Sequence, residues 1–312
     1  MEIRKTLPGY MKQDRFFGVV ITLPAIVLLA LLFVFPVIYS FGISFTNFNF
    51  GVSEIPRFTG ISNYAESLFS AEFHNSLRIT FSITIGALII EFVCGMVLAL
   101  LVNNITSGAG FFKASYLVPM MVAPTVAGLL FRFILNGEFG ILNTILIALG
   151  VIESNIQWLT DQKLVLFSIM AVDSWATIPM IFLLLYTALS ALSHDMIEAG
   201  RIDGANAWQI FTLIQLPNIK GPALVTLFIR FMDVFRIYDS IYVLTKGGPG
   251  TSTESLSILI YKINWTRYDM GRAAAMSYIM MAIMFVIALV IQYFSMDRED
   301  RPFFKKKRAE YA

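Results

Sequence analysis

Long apolar stretches, cut by short clusters of charged and turn-forming residues, set the rhythm of this chain. From Phe16 to Ser53 no side chain is charged, a run longer than the roughly 20 residues a helix needs to cross a bilayer. The pattern predicts six membrane-spanning helices: Phe17–Phe41, Leu77–Val102, Ala114–Leu135, Leu164–Leu189, Gly221–Leu244 and Ala273–Met296. A retained helix, not a cleaved leader, is expected for the first, because a leader's apolar core would be only about 7–15 residues long. Ile141–Ile152 is apolar but too short to cross, which predicts a short helix at the membrane surface. The fold class expected is an all-α integral membrane protein. Its parts are a segment 1–16, a six-span domain 17–296 and a basic tail 297–312.

Basic residues orient the spans. With the N-terminus in the cytoplasm, cytoplasmic segments hold thirteen Lys/Arg and the outer loops six. Arg4, Lys5, Lys12 and Arg15 precede the first span, and Lys305, Lys306, Lys307 and Arg308 follow the last. Both ends then lie inside, which requires an even number of spans. That parity keeps the fifth span, which carries Arg230, Asp233, Arg236 and Asp239. Charges alternating at spacing three are expected to pair along one helix, as a ladder facing protein or a water-filled path. Glu91, inside the second span, is expected to be paired or neutral in a structural role.

Composition narrows the chemistry. Hydrophobic residues make up 57% and charged residues 14%, against about 25% charged in soluble domains. A net charge of +2 gives no reason to expect nucleic acid as a partner. Cys94 is the only cysteine, and His74 and His194 are the only histidines, so a Cys/His metal centre is not expected. Gly247-Gly248-Pro249-Gly250 lacks the lysine of a phosphate-cradling loop. No cofactor, nucleotide hydrolysis or catalytic residue is therefore predicted. The tail suits anionic membrane lipid.

The most informative segment joins the fourth and fifth spans. Its residues Glu198-Ala199-Gly200-Arg201-Ile202-Asp203-Gly204-Ala205 continue to Phe211, Ile214, Leu216 and Pro217. Asp195 with Glu198 has capping-box spacing, and Asn206 with Gln209 repeats it more weakly. Gly204 suits the left-handed position ending a helix. Pro217 is placed to close a second helix. Two short helices with a break, an exposed knob, are predicted.

This stretch resembles the EAA loop of binding-protein-dependent ABC importers, with pattern E-A-A, D-G-A, I-x-L-P. Glu198, Ala199, Asp203, Gly204, Ala205, Ile214, Leu216 and Pro217 match, and Gly200 replaces the usual third alanine. Pro119, Ala123-Pro124, Val126-Ala127-Gly128, Arg132, Gly140 and Asn143 resemble the third-span pattern of carbohydrate-uptake permeases. Asp173, Trp175 and Pro179 resemble the fourth span of the same permeases. Leu244-Thr245, Gly247-Gly248-Pro249 and Thr253-Glu254 are similar to the outer loop of the maltose-permease first-subunit type.

The resemblance implies a permease subunit forming the translocation path for a sugar or sugar derivative. It implies as partners a second permease, two ATP-binding subunits and an extracytoplasmic solute-binding protein, in a bacterial inner membrane. Glu198, Ala199, Gly200, Asp203, Gly204 and Ala205 then form the ATPase-coupling element. Solute contacts carry over to Asp173, Ser174, Trp175 and Thr177 on span four and to Arg230, Asp233 and Val234 on span five. Trp175 suits the apolar face of a pyranose; Arg230 suits hydroxyls or an anionic group, or pairs only with Asp233. The competing reading is an ion-coupled secondary transporter, with Glu91, Asp173 and the span-five charges as relay. No paired broken helices in matching halves are evident for it in the sequence.

Overall fold

The computed structural model describes residues 8–52, 55–105 and 109–295. The tail 297–312, with Lys305–Arg308, lies outside the described residues, as do Arg4 and Lys5. Helices dominate what is described. Helix α1 (Pro8–Leu29) passes through a π-helical turn, Ala30–Val34, into α2 (Phe35–Ile43). Then come α3 (Ser62–Phe69), α4 (Ala71–Asn103), α5 (Ala109–Leu117), α6 (Pro124–Ile134), α7 (Ile141–Ala148) and α8 (Val165–Ser190). The knob is α9 (His194–Ile202), α10 (Ala207–Gln209), a π-helical turn Ile210–Gln215 and α11 (Leu216–Asn218). Helices α12 (Lys220–Val234), α13 (Asp239–Leu244), α14 (Leu256–Trp265) and α15 (Met270–Ser295) complete the order.

Among the described residues four runs are long and apolar enough to cross a membrane: Phe17–Ile43, Ala71–Asn103, Val165–Ser190 and Met270–Tyr293. Two more are bent. Gly110–Met121 meets Pro124–Ile134 at 91°, and Ala207–Asn218 meets Lys220–Val234 at 72°. The third predicted span is therefore no straight rod. Ala123 is extended (ψ 139°) because Pro124 follows it, and a residue before proline is pushed out of the helical region. The fifth predicted span, Gly221–Leu244, is also two helices, broken over residues 235–238 between α12 and α13. At 15 residues, α12 is only about 22 Å long. Both π-helical turns stand just before a proline, Pro36 and Pro217, whose missing N–H and bulky ring disturb the turn before it.

The chain divides into two compact units, residues 1–67 with 263–278, and residues 68–262 with 279–312. In the first, the apolar rod Phe17–Ile43 has no buried residue. Its end is tied to the start of α15: Tyr278 Oη lies 2.9 Å from Ser40 Oγ and donates to the Val37 carbonyl at 2.6 Å. Asn63 Nδ2 donates to the carbonyls of Ser44 and Thr46 at 2.9 and 2.7 Å.

In the second unit α4 and α8 pack along their length and run parallel. A β-carbon at Gly86 would overlap Met170, and one at Gly95 would sit 2.7 Å from Ile181 Cγ2. At their ends Ser190 Oγ donates to Asn103 Oδ1 at 3.2 Å. Helix α12 runs the other way. One core joins Ile83 and Ala87 of α4 to Ile169 and Val172 of α8 and Val234 beyond. A second joins Met96 and Ala99 to Ile181 and Phe182 and to Ala223 of α12.

Candidate functional site: a buried ion-pair layer and an exposed knob

Between the two apolar cores, at the same level on α4, α8 and α12, lies a polar layer. Arg230 Nε donates to Glu91 Oε2 at 2.7 Å, and Nη2 donates to Oε1 at 2.8 Å. Nη2 also donates to Asp173 Oδ2. Thr177 Oγ1 donates to Glu91 Oε1 at 2.8 Å and lies 2.7 Å from the Asp173 carbonyl; Ser174 Oγ is 3.4 Å from the same carboxylate oxygen. Glu91 is fully buried and Arg230 is 4% exposed. Such charges are tolerated away from water only when paired and hydrogen-bonded, and both conditions hold here.

The ladder predicted along the fifth span is corrected at its Arg230–Asp233 step and holds at Asp233–Arg236. Arg230 spends its donors on Glu91 and Asp173 of other helices. Asp233 pairs instead with Arg236 at 3.2 Å, both exposed. Three residues advance about 300° around a helix, a net offset of about 60°, and at the edge of the packed face that offset leaves Arg230 buried and Asp233 exposed. Val234 is 1% exposed, in the first core. Trp175 is half-exposed, edge-on to Phe131 with ring centroids 5.1 Å apart. Pro179 lies within α8, which removes the bond that the Trp175 carbonyl would accept. The structure thus brings Asp173, Ser174, Thr177 and Arg230 into one cluster, with Trp175 beside it.

Glu91 was legible as a buried charge but not as the partner of Arg230. The usable signal was the rule that an intramembrane ion needs a counter-ion; the partner's identity lies 139 residues away.

The knob stands at the far end of α8. Helix α9 closes in a complete Schellman motif: Gly204 N–H donates to the Arg201 carbonyl at 3.1 Å and Ala205 N–H to the Gly200 carbonyl at 2.9 Å. Gly204 has φ +82°. The predicted Asp195–Glu198 capping box does not form. Helix α9 starts earlier, Ser193 occupies the N-cap, and no side chain caps it; Asp195 sits in the first turn, where it favours the helix dipole. The Asn206–Gln209 box, expected to be the weaker, is complete, with both bonds at 2.8–2.9 Å. Gly200 is buried, and a β-carbon there would meet Ile214 Cδ1 at 2.6 Å. Its smallness seats α9 on the following π-helical turn, a packing role. Glu198, Ala199 and Asp203 face solvent. So do Ile202, Trp208 and Leu213, each at least 70% exposed.

Residues 92–299, which hold α8, the knob and α12, match the family described as binding-protein-dependent transport system inner membrane component. The chain belongs to that family. A trehalose/maltose transport system permease protein, MalF, of Thermococcus litoralis is 33% identical over 282 residues, covering 90% of this chain and 93% of the relative. A probable ABC transporter permease protein, y4oQ, of Sinorhizobium fredii is 32% identical over 269 residues, covering 86% and 85%. The fold is that of a chain in a bacterial alginate ABC transporter solved with an alginate pentasaccharide-bound periplasmic protein. That match has TM-score 0.78 and 20% identity over 96% of this chain and 98% of the other. As a membrane component of this family, the chain has its buried layer halfway along a spanning helix and its knob at the end of the same helix.

Proposed function

We propose that this chain is one permease subunit of an ATP-driven importer for a neutral sugar of the trehalose or maltose kind. The observation that carries the sugar class is the likeness to a named trehalose/maltose permease over nine-tenths of the chain. The chemistry of the layer agrees with a neutral solute. The Arg230 guanidinium is already engaged by two carboxylates, so no free cation is left at that level for a phosphate or sulfonate. Trp175, Asp173 and Thr177 supply an aromatic face and hydrogen-bonding groups to the solute, with Asp233 exposed and Ser174 and Val234 buried behind them. The ion-coupled alternative loses its relay, because Glu91 and Asp173 are both held by Arg230.

The chain crosses the membrane six times, α5 with α6 counting as one crossing and α12 with α13 as another. The parallel course of α4 and α8, the reversed α12 and the bias of basic residues support this count, with the knob and both termini cytoplasmic. Residues 17–296 are then the membrane domain, flanked by 1–16 and 297–312. The knob, by its likeness to the EAA loop, is the element that two ATP-binding subunits and a second permease require for coupling. Its exposed Ile202, Trp208 and Leu213 fit a partner's cleft, because apolar side chains this open to water mark an interaction surface. A solute-binding protein delivers sugar on the opposite face. The chain acts by alternating access, and the knob makes different contacts in the two states.

The test is uptake by liposomes holding the chain with its partner permease, ATP-binding subunits and binding protein. Trehalose or maltose accumulation that needs both ATP and binding protein is expected. Accumulation driven by a proton or sodium gradient without ATP refutes the importer reading.

A further inference from the structure

A second polar cavity lies where α8 begins, at the end opposite the knob. It has a volume of about 390 Å³, within the range of small-molecule sites. Arg132, Asn136, Glu138, Gln157, Thr160 and Thr245 line it. One cation, one anion and four neutral amides or hydroxyls make a balanced set of donors and acceptors. Among the described residues neither Arg132 nor Glu138 forms an ion pair, and Arg132 donates only one long bond, to the Val243 carbonyl at 3.4 Å. Their hydrogen-bonding capacity is therefore open to a ligand.

The walls are braced from behind. Asn143 is 1% exposed and ties both loops of the cavity together. Its Nδ2 donates to the carbonyls of Ile156 and Gly137 at 3.0 and 3.4 Å, and its Oδ1 accepts from Trp158 Nε1 at 2.8 Å. Asn136 Oδ1 accepts from the N–H groups of Glu138 and Phe139 at 2.8 and 3.1 Å, which leaves its amide nitrogen free to donate. Thr160 Oγ1 donates to Gln157 Oε1 at 3.1 Å, leaving the Gln157 amide nitrogen likewise. A preformed polar wall loses little freedom on binding.

We propose that this cavity is a second sugar subsite, distinct from the Arg230 layer and holding a hexose unit at the α8 entrance. The proposal rests on the sugar reading above. Balanced, mostly neutral hydrogen-bonding groups suit polyhydroxylated rings, and Leu159 and Pro249 offer apolar surface to their C–H faces. Asp173 lies eight residues beyond the first residue of α8, roughly 12 Å along its axis. The layer therefore lies farther along the helix that begins beside the cavity.

The probe is trehalose or maltose carrying a photoreactive diazirine, applied to the complete complex in nanodiscs, with labelled peptides mapped by mass spectrometry. Labelling at residues 132–138 or 157–160, competed by unmodified sugar, is expected. Glu138 and Gln157 are exposed, so Glu138→Ala and Gln157→Ala leave the fold intact. Each should weaken labelling about threefold to tenfold, the yield of one lost hydrogen bond, and raise KM for uptake while kcat holds. Labelling confined to residues 173–177 or 230–234 in a complex that takes up the sugar overturns the subsite and leaves the importer standing. Variants that weaken capture of the binding protein, without any label in the cavity, also overturn it and assign the cavity to protein docking. Absence of ATP-driven uptake of either sugar removes the sugar reading and the subsite with it.

Discussion

Glu91 and Arg230 stand 139 residues apart in the chain, and the guanidinium grips both oxygens of the carboxylate at 2.7 and 2.8 Å. The pair joins α4 to α12, and Asp173 adds α8 through the same guanidinium. Three helices are thereby locked at one level between two apolar cores. Net worth and cost of removal differ for such a pair: an intact buried ion pair contributes little, but breaking one side strands a charge.

Arg230→Ala should therefore lower the stability of the purified chain by about 3–5 kcal/mol, because it leaves Glu91 and Asp173 without a counter-ion, whereas Glu91→Ala should cost less, because Arg230 keeps Asp173. Glu91→Ala with Arg230→Ala should cost clearly less than the sum of the single changes. By contrast, Arg230→Ala with Asp233→Ala should show clearly weaker coupling, because no ion pair joins the two residues. Thermal unfolding in detergent measures all of these. Strong coupling between Arg230 and Asp233 would restore the ladder and contradict the structure.

Gly204→Val should damage the knob through its backbone alone. No atom lies within 4 Å of the added β-carbon, but φ is +82°. A β-carbon there costs roughly 1–2 kcal/mol, and a β-branched one more. The expected result is normal membrane abundance, weakened retention of the ATP-binding subunits on co-purification, and lost uptake. Wild-type retention and uptake would detach the knob from coupling.

Gly200→Ala probes packing at the same place. The new methyl meets the flexible end of Ile214 at 2.6 Å, so the cost should fall near the low end of the about 1–3 kcal/mol typical of overpacking. Ile214→Val in the same chain should recover most of it. Failure of that rescue, seen as an unchanged melting temperature, would mean that the close approach is not what Gly200 serves.

Gly86 and Gly95 separate two kinds of crowding. At Gly86 the obstacle is the Met170 thioether, a flexible side chain that can swing aside. At Gly95 the added carbon faces Ile181 Cβ and the Phe182 backbone nitrogen, both at 3.2 Å, which cannot move without parting α4 from α8. Gly95→Ala should thus destabilise more than Gly86→Ala. Equal melting temperatures for the two variants would refute the tight backbone approach of these helices.

What the linear pattern carried by itself was local. Uncharged runs mark bilayer-length helices because each residue pays its own transfer cost. Gly204 and the Asn206–Gln209 box mark helix ends because the atoms they satisfy lie within five residues. The membrane fold class and the knob were readable for that reason. The capping of α9 was misread by one turn of local choice, Ser193 over Asp195, which nearby composition leaves nearly balanced. Proline positions were visible, yet the 91° and 72° bends needed neighbours to hold the two arms apart. The pairing of charges was decided only by tertiary structure. Along α12, Asp233 is the near neighbour of Arg230, and a one-dimensional reading pairs them. Helix rotation, fixed by burying Ala223 and Val234 in the two cores, turns Arg230 inward to Glu91 and leaves Asp233 to Arg236. Which face of a helix is inside depends on surfaces brought from distant parts of the chain, and no local spacing encodes that.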